Sequence, residues 1–181
     1  MKKFAIAAAL IGVLAAAPLA YASLAVGAKA PDFSAKASLG GKEFDFSLAD
    51  ALKKGPVVLY FYPAAFTNGC TIEAHNFAEA TATYAKLGAT VIGVSHDNIE
   101  TLDKFSVSEC RSKFAVVADP DQKVIKAYDA VLKKKPEYAD RTSYVIAPDS
   151  TVLMTYTDLN PDEHVTRTLA AVQAWREHHK H

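Results

Sequence analysis

Val57 to Tyr62 is a run of β-branched, aliphatic and aromatic residues with no polar interruption. That is the pattern of a strand buried on both faces. Pro63 cannot donate to a sheet ladder and ends it. Asn68-Gly69 marks a turn. Beyond it the apolar period lengthens to that of a helix, with Cys70, Ala74, Phe77, Thr81 and Tyr84 on one face and an end near Gly88. Upstream, Gly40-Gly41 is a hairpin turn between Leu39 and the alternating Phe44 and Phe46. Ser47 is placed to cap a short helix reaching Lys54, which Gly55-Pro56 stops.

Downstream, Thr90 to Val94 reads as a second buried strand, and Asp97 or Asn98 caps a third helix, roughly Glu100 to Lys113. Val116-Val117 is a short strand closed by Asp119-Pro120-Asp121, and Lys123 to Val131 a helix. Arg141 to Ile146 and Thr151 to Tyr156 are strands around a Pro148-Asp149-Ser150 turn. Asn160-Pro161-Asp162-Glu163 has the cap, first-position Pro and acid of a helix start, and Val165, Leu169, Val172 and Trp175 give that helix a packing face. An early β-α-β-α-β run, a later antiparallel pair and a closing helix predict an α/β fold with a mixed sheet and helices on both faces.

The first 22 residues stand apart from this pattern. Lys2-Lys3 precedes an apolar run from Phe4 to Leu14, and Ala20-Tyr21-Ala22 is a small-x-small site before Ser23. This predicts a signal peptide over residues 1–22, with an uncleaved anchor as the alternative reading. Export would place the rest, residues 23–181, in an oxidising compartment such as a bacterial periplasm. That remainder has 159 residues, enough for one domain, and a formal charge of −2. The balance argues against nucleic acid or a membrane surface as partner.

Cys70 is the residue with chemistry. In the first turn of a helix, unpaired N–H groups and the positive end of the helix dipole favour a thiolate. Thr67, three residues earlier, can cap the helix or lie beside the sulfur. Glu73 suits the dipole as a first-turn acid, and Arg141 read alone is a surface arginine at the start of a strand.

Pro63-x-x-x-Thr67-x-x-Cys70 resembles the active-site signature of the peroxiredoxins, and Cys70-Thr71-x-Glu73 resembles their bacterioferritin-comigratory or PrxQ branch within the AhpC/TSA superfamily. Gly27-Ala28-Lys29-Ala30-Pro31-Asp32-Phe33 is similar to the opening of the same family. The resemblance covers essentially all of the chain after residue 22. It implies a thioredoxin-like fold with the peroxiredoxin hairpin, and a thiol peroxidase in which Cys70 attacks a peroxide oxygen and becomes a sulfenic acid. It also implies that Pro63 screens the sulfur, that Thr67 orients the peroxide and that Arg141 stabilises the developing charge, with Glu73 bracing the loop. No metal, flavin or haem is implied. The expected partners are a peroxide and a thioredoxin-like or other thiol reductant, with the chain a monomer or homodimer.

One departure matters. Many relatives in this branch carry a second cysteine five residues after the first, where this chain has His75. The other cysteine is Cys110, 40 residues on, expected late in the third helix and one turn beyond Ser106. Cys110 can be a resolving thiol, a bystander in a one-Cys enzyme, or half of a permanent disulfide. A thiol–disulfide oxidoreductase is the competing activity, weakened by the lack of Cys-x-x-Cys; a non-catalytic protein with a structural bridge is the other alternative. His75 and His96 with Asp97 form no recognised metal-binding spacing, and His178-His179-x-His181 ends the chain.

Overall fold

A computed structural model describes residues 23–179, so the expected signal peptide and its cleavage site lie outside the described residues. Seven strands form one sheet: β1 (Ser34–Leu39), β2 (Lys42–Ser47), β3 (Val57–Phe61), β4 (Thr90–Ser95), β5 (Ala115–Ala118), β6 (Thr142–Ile146) and β7 (Val152–Thr157). Their order is β2-β1-β5-β4-β3-β6-β7. β3, β4 and β5 run parallel, and the flanking pairs are antiparallel. The α/β thioredoxin-like sheet expected from the sequence is the one observed. The β1–β2 hairpin turns through Gly40 and Gly41, both at positive φ as such a two-residue turn requires.

β3 lies at the centre, and its alternation assigns the two faces. Val57, Leu59 and Phe61 join a cluster with α1 (Leu48–Leu52) and α4 (Lys123–Ala127). Val58, Tyr60 and Tyr62 join the opposite cluster with α2 (Asn68–Lys86), α3 (Ile99–Ser108) and α5 (His164–His178). Every β3 side chain is therefore buried, which is why the run carries no polar residue. On the second face Tyr60 stacks on Phe77 with ring centroids 4.4 Å apart, and Tyr62 stacks on Phe105 at 5.5 Å. Pairs of this kind contribute about 1 kcal/mol each beyond their buried area. Gly93, the β4 partner of Tyr60, leaves room for that ring, since a Cβ there would sit 2.9 Å from its Cζ.

Three helix boundaries differ from the sequence expectation by three residues or more. α3 stops at Ser108 instead of reaching Lys113. The chain leaves it through Arg111 and Ser112, both left-handed, with the Ser112 N–H donating to the Ser106 carbonyl at 2.9 Å. No Gly or Pro announces that turn. α4 stops at Ala127 because Asp129 turns left-handed and Val131 pairs with Ala139. α5 begins at His164, since Asn160 spends its side chain on an Asx turn to the Asp162 N–H at 3.1 Å. Its buried positions are His164, Thr168 and Val172, while Val165, Leu169 and Trp175 are half-buried. Among the described residues no helix is long and apolar enough to cross a membrane.

Candidate active site

The end of β3 delivers the chain into the Pro63–Thr67 loop, and β4 fixes that loop from beside it. Asp97 accepts the Ala65 N–H at 2.8 Å and the Ser95 hydroxyl at 2.7 Å with the same oxygen. The Nδ1–H of His96 donates to the Pro63 carbonyl at 3.0 Å, which assigns that proton because a carbonyl can only accept. His96 and Asp97, which form no metal-binding spacing in the sequence, thus brace this loop. Phe66, next in the loop, is held at φ 63 with its ring half-exposed against Phe105.

Thr67 is the N-cap of α2 by position, but its hydroxyl donates to the Ala64 carbonyl at 3.0 Å and makes no cap bond. It is exposed, and the first intrahelical bond runs from the Thr71 N–H to its carbonyl at 2.9 Å. Cys70 is the third residue of α2, and its side chain is 1% exposed. Its own N–H has no carbonyl one turn back, so the helix end turns positive partial charge toward that first turn.

Arg141 stands directly before β6 and is 4% exposed, not the surface arginine a lone reading suggests. All three guanidinium nitrogens are occupied. Nε donates to the Leu159 carbonyl at 2.9 Å, Nη1 to Glu73 Oε2, and Nη2 to Cys70 Sγ at 3.5 Å. The fork spans sulfur and carboxylate at once, a geometry lysine cannot reproduce. Burial alone would lower the Arg141 pKa, but Glu73 and then Cys70 outweigh it and hold the guanidinium more firmly protonated. Gly69 makes the approach possible, since a Cβ there would lie 2.9 Å from Nη2.

Glu73 is wholly buried one turn into α2, and this makes it more than a first-turn acid. Burial pushes its carboxyl up to about 8 against the lowering pull of Arg141. Its second oxygen, Oε1, has no hydrogen-bond partner among the described residues and lies 3.6 Å from Nδ1 of the buried His164. Sequence reasoning missed His164 altogether, because a histidine at a helix start carries no signal of burial.

The structure thus joins Cys70, Glu73 and Arg141 by direct contacts, with Pro63 and Thr67 in the loop that leads into the first turn of α2. Cys110 arrives differently. It lies two residues past the end of α3, not inside it, in the same core cluster as Cys70, and both thiols are free. It is fully buried, and burial together with Glu109 pushes its thiol far up. His75 faces that segment, pairing with Glu109 at 3.0 Å. Ser106, four residues before Cys110, accepts the Gly40 N–H at 2.6 Å. No group of three or more metal-ligating side chains occurs among the described residues.

The AhpC/TSA family matches residues 26–154. A peroxiredoxin Bcp from Xanthomonas campestris pv. campestris is 31% identical over 124 residues, covering 65% of this chain and 76% of its own length. A bcp relative from Helicobacter pylori strain J99 is 43% identical over 88 residues, covering 49% of this chain and 57% of its own. The crystal structure of peroxidoxin BcpB from Mycobacterium tuberculosis superposes with a TM-score of 0.74 at 30% identity, covering 82% of this chain and 96% of that one. On these matches, and on the sheet that carries the site, the chain belongs to the AhpC/TSA family of peroxiredoxins.

Proposed function

We propose that this chain reduces hydrogen peroxide and organic hydroperoxides with Cys70 as the nucleophile. The observation that carries the reading is the buried contact of Arg141 Nη2 with Cys70 Sγ at 3.5 Å, in the first turn of α2. A guanidinium donor and a helix N-terminus both face this sulfur, and each stabilises negative charge there. The thiolate attacks the hydroxyl-bearing oxygen of the peroxide; the S–O bond forms and the O–O bond breaks. The sulfur is oxidised to a sulfenic acid, and the leaving oxygen departs as alkoxide or hydroxide to take up a proton. Arg141 faces the charge as it moves off the sulfur, where a fixed donor is worth most.

Cys110 then closes a disulfide with the Cys70 sulfenic acid, releasing water, and a thioredoxin-like or other thiol reductant reopens it. A second reading, a one-Cys enzyme with Cys110 inert, is favoured by the full burial of Cys110 and its strongly protonated thiol. Residues 1–22 direct export to the periplasm in the proposed setting, supported by the basic start and apolar run of the sequence.

Reduced protein is expected to consume peroxide while leaving insulin disulfides intact, and Cys70→Ser to abolish the consumption. Insulin reduction without peroxide consumption would turn the assignment to a thiol–disulfide oxidoreductase.

A further inference from the structure

His164 is buried at the start of α5, and its protonation can be read from its partners. Nε2 lies 2.9 Å from the Asp158 carbonyl, which can only accept, so Nε2 carries a proton. Nδ1 lies 2.8 Å from the Ser143 hydroxyl and 3.6 Å from Glu73 Oε1. Were the imidazole neutral and Glu73 ionised, Nδ1 would accept from the Ser143 hydroxyl and Oε1 would be left with no donor. The carboxylate oxygen would then stay buried without a donor, which costs its full desolvation. One additional proton between Oε1 and Nδ1 removes the conflict and leaves Oε2 free to accept from Arg141 Nη1.

α2, β6, β7 and α5 all face the pair. α2 supplies Glu73 and Cys70, and the start of β6 supplies Arg141. β7 sets the Tyr156 ring on the imidazole at 4.8 Å, and the loop after it supplies Asp158 through its carbonyl. Arg167 of α5 lies over the Tyr156 ring at 4.3 Å. Burial pushes Glu73 up and His164 down, so the extra proton resides on the carboxyl. With that proton the buried set of thiolate, guanidinium, carboxylic acid and neutral imidazole has no net charge. Once Cys70 is a neutral sulfenic acid, the set is neutral only if Glu73 has ionised. Uncompensated buried charge is expensive, so the two events are coupled.

Resting on the peroxidase reading of Cys70, we propose that Glu73 and His164 are a proton store behind Arg141, holding one proton while Cys70 is a thiolate and giving it up when Cys70 is oxidised. The step balances: thiolate, hydroperoxide and the stored proton give sulfenic acid and alcohol, and the carboxyl becomes a carboxylate paired with Arg141. While the sulfur is reduced, a neutral Glu73 leaves the guanidinium charge to the thiolate. Both residues are positioning residues, since neither is shown to touch the reacting oxygen.

Infrared spectroscopy of the full chain reads the proton directly. Reduced protein at neutral pH is expected to show a carboxylic-acid carbonyl band that shifts in D2O, is absent in Glu73→Gln and moves in His164→Gln. The band should vanish after one equivalent of peroxide and be absent from Cys70→Ser, whose neutral hydroxyl reproduces the loss of charge. A Glu73-dependent band missing from reduced protein, or equally strong in oxidised protein and in Cys70→Ser, overturns the proposal. A band unmoved by His164→Gln removes His164 from the store. Wild type and Cys70→Ser decide the matter even should the other variants fail to fold. Mass analysis after peroxide showing neither a trapped sulfenic acid nor a disulfide at Cys70 would sink the peroxidase reading alone, because the comparison with Cys70→Ser needs no turnover.

Discussion

Arg141 holds sulfur and carboxylate with separate arms of one fork, so its replacement separates charge from shape. Arg141→Ala is expected to lower the rate of peroxide reduction about 10²–10³-fold, the range for loss of a fixed donor at a developing anion. Arg141→Lys should recover little of it, because an ammonium cannot reach both partners. Ultraviolet thiolate absorbance of the reduced protein at neutral pH should fall in Arg141→Ala; unchanged absorbance would detach the guanidinium from the sulfur. Gly69→Ala places a methyl group 2.9 Å from Nη2 and should slow peroxide reduction by about tenfold or more through displacement of the fork. Thermal melting of that variant should change little. Cys70 and Thr67 were legible in the sequence because they are close together and sit on a recognisable strand-turn-helix. The clearance at Gly69 and the burial of Arg141 were not, because each depends on a residue some seventy positions away.

At the scale of elements, the segment after α3 decides how Cys110 can act. Disulfide closure requires Cα atoms within about 7 Å of each other. Arg111 and Ser112 are successive left-handed residues, each costing about 1–2 kcal/mol relative to helical backbone. The segment is tethered to α2 through His75–Glu109 at 3.0 Å and Arg111–Glu79 at 3.2 Å. The first turn of α2 has few backbone bonds to lose on melting. Hydrogen exchange should therefore rise on oxidation in residues 109–114, in the first turn of α2, or in both, and Cys110→Ser should accumulate sulfenic acid or a Cys70–Cys70 dimer. Normal turnover of Cys110→Ser with a small-thiol reductant, with no Cys70–Cys110 link in wild type, would make this a one-Cys enzyme. The overrun of α3 in the sequence reading has a physical cause. Helices without a terminal Gly or Pro are ended by tertiary contacts, here the packing that returns the chain to β5, and periodicity cannot see those.

For the whole molecule, a mixed sheet with helices on both faces followed from the β-α-β-α-β run and the later antiparallel pair. The masses of buried titratable side chains did not. Cys110, Tyr60, Tyr62 and Tyr84 are all pushed upward by burial, so each stays protonated in the folded state after its unfolded counterpart has ionised. The unfolded state then binds fewer protons, and stability falls as pH rises. The loss should begin near ~8.5, where an unfolded thiol ionises, and steepen near ~10 with the tyrosines. Urea midpoints across that range should show it, and Cys110→Ser should move the onset toward the tyrosine range; a flat profile would contradict the burial account. For the proposed export, N-terminal sequencing of periplasmic protein should begin at Ser23, and recovery of intact chain from the cytoplasm alone would overturn it.

The proposed attack of Cys70 on the peroxide oxygen can be read by peptide mass spectrometry after one equivalent of peroxide. With a sulfenic-acid trap present, the adduct is expected on the peptide carrying Cys70 and not on that carrying Cys110; without the trap, the two peptides should be joined by a disulfide within one chain. Oxygen or trap on Cys110 with the Cys70 peptide unmodified would contradict the account.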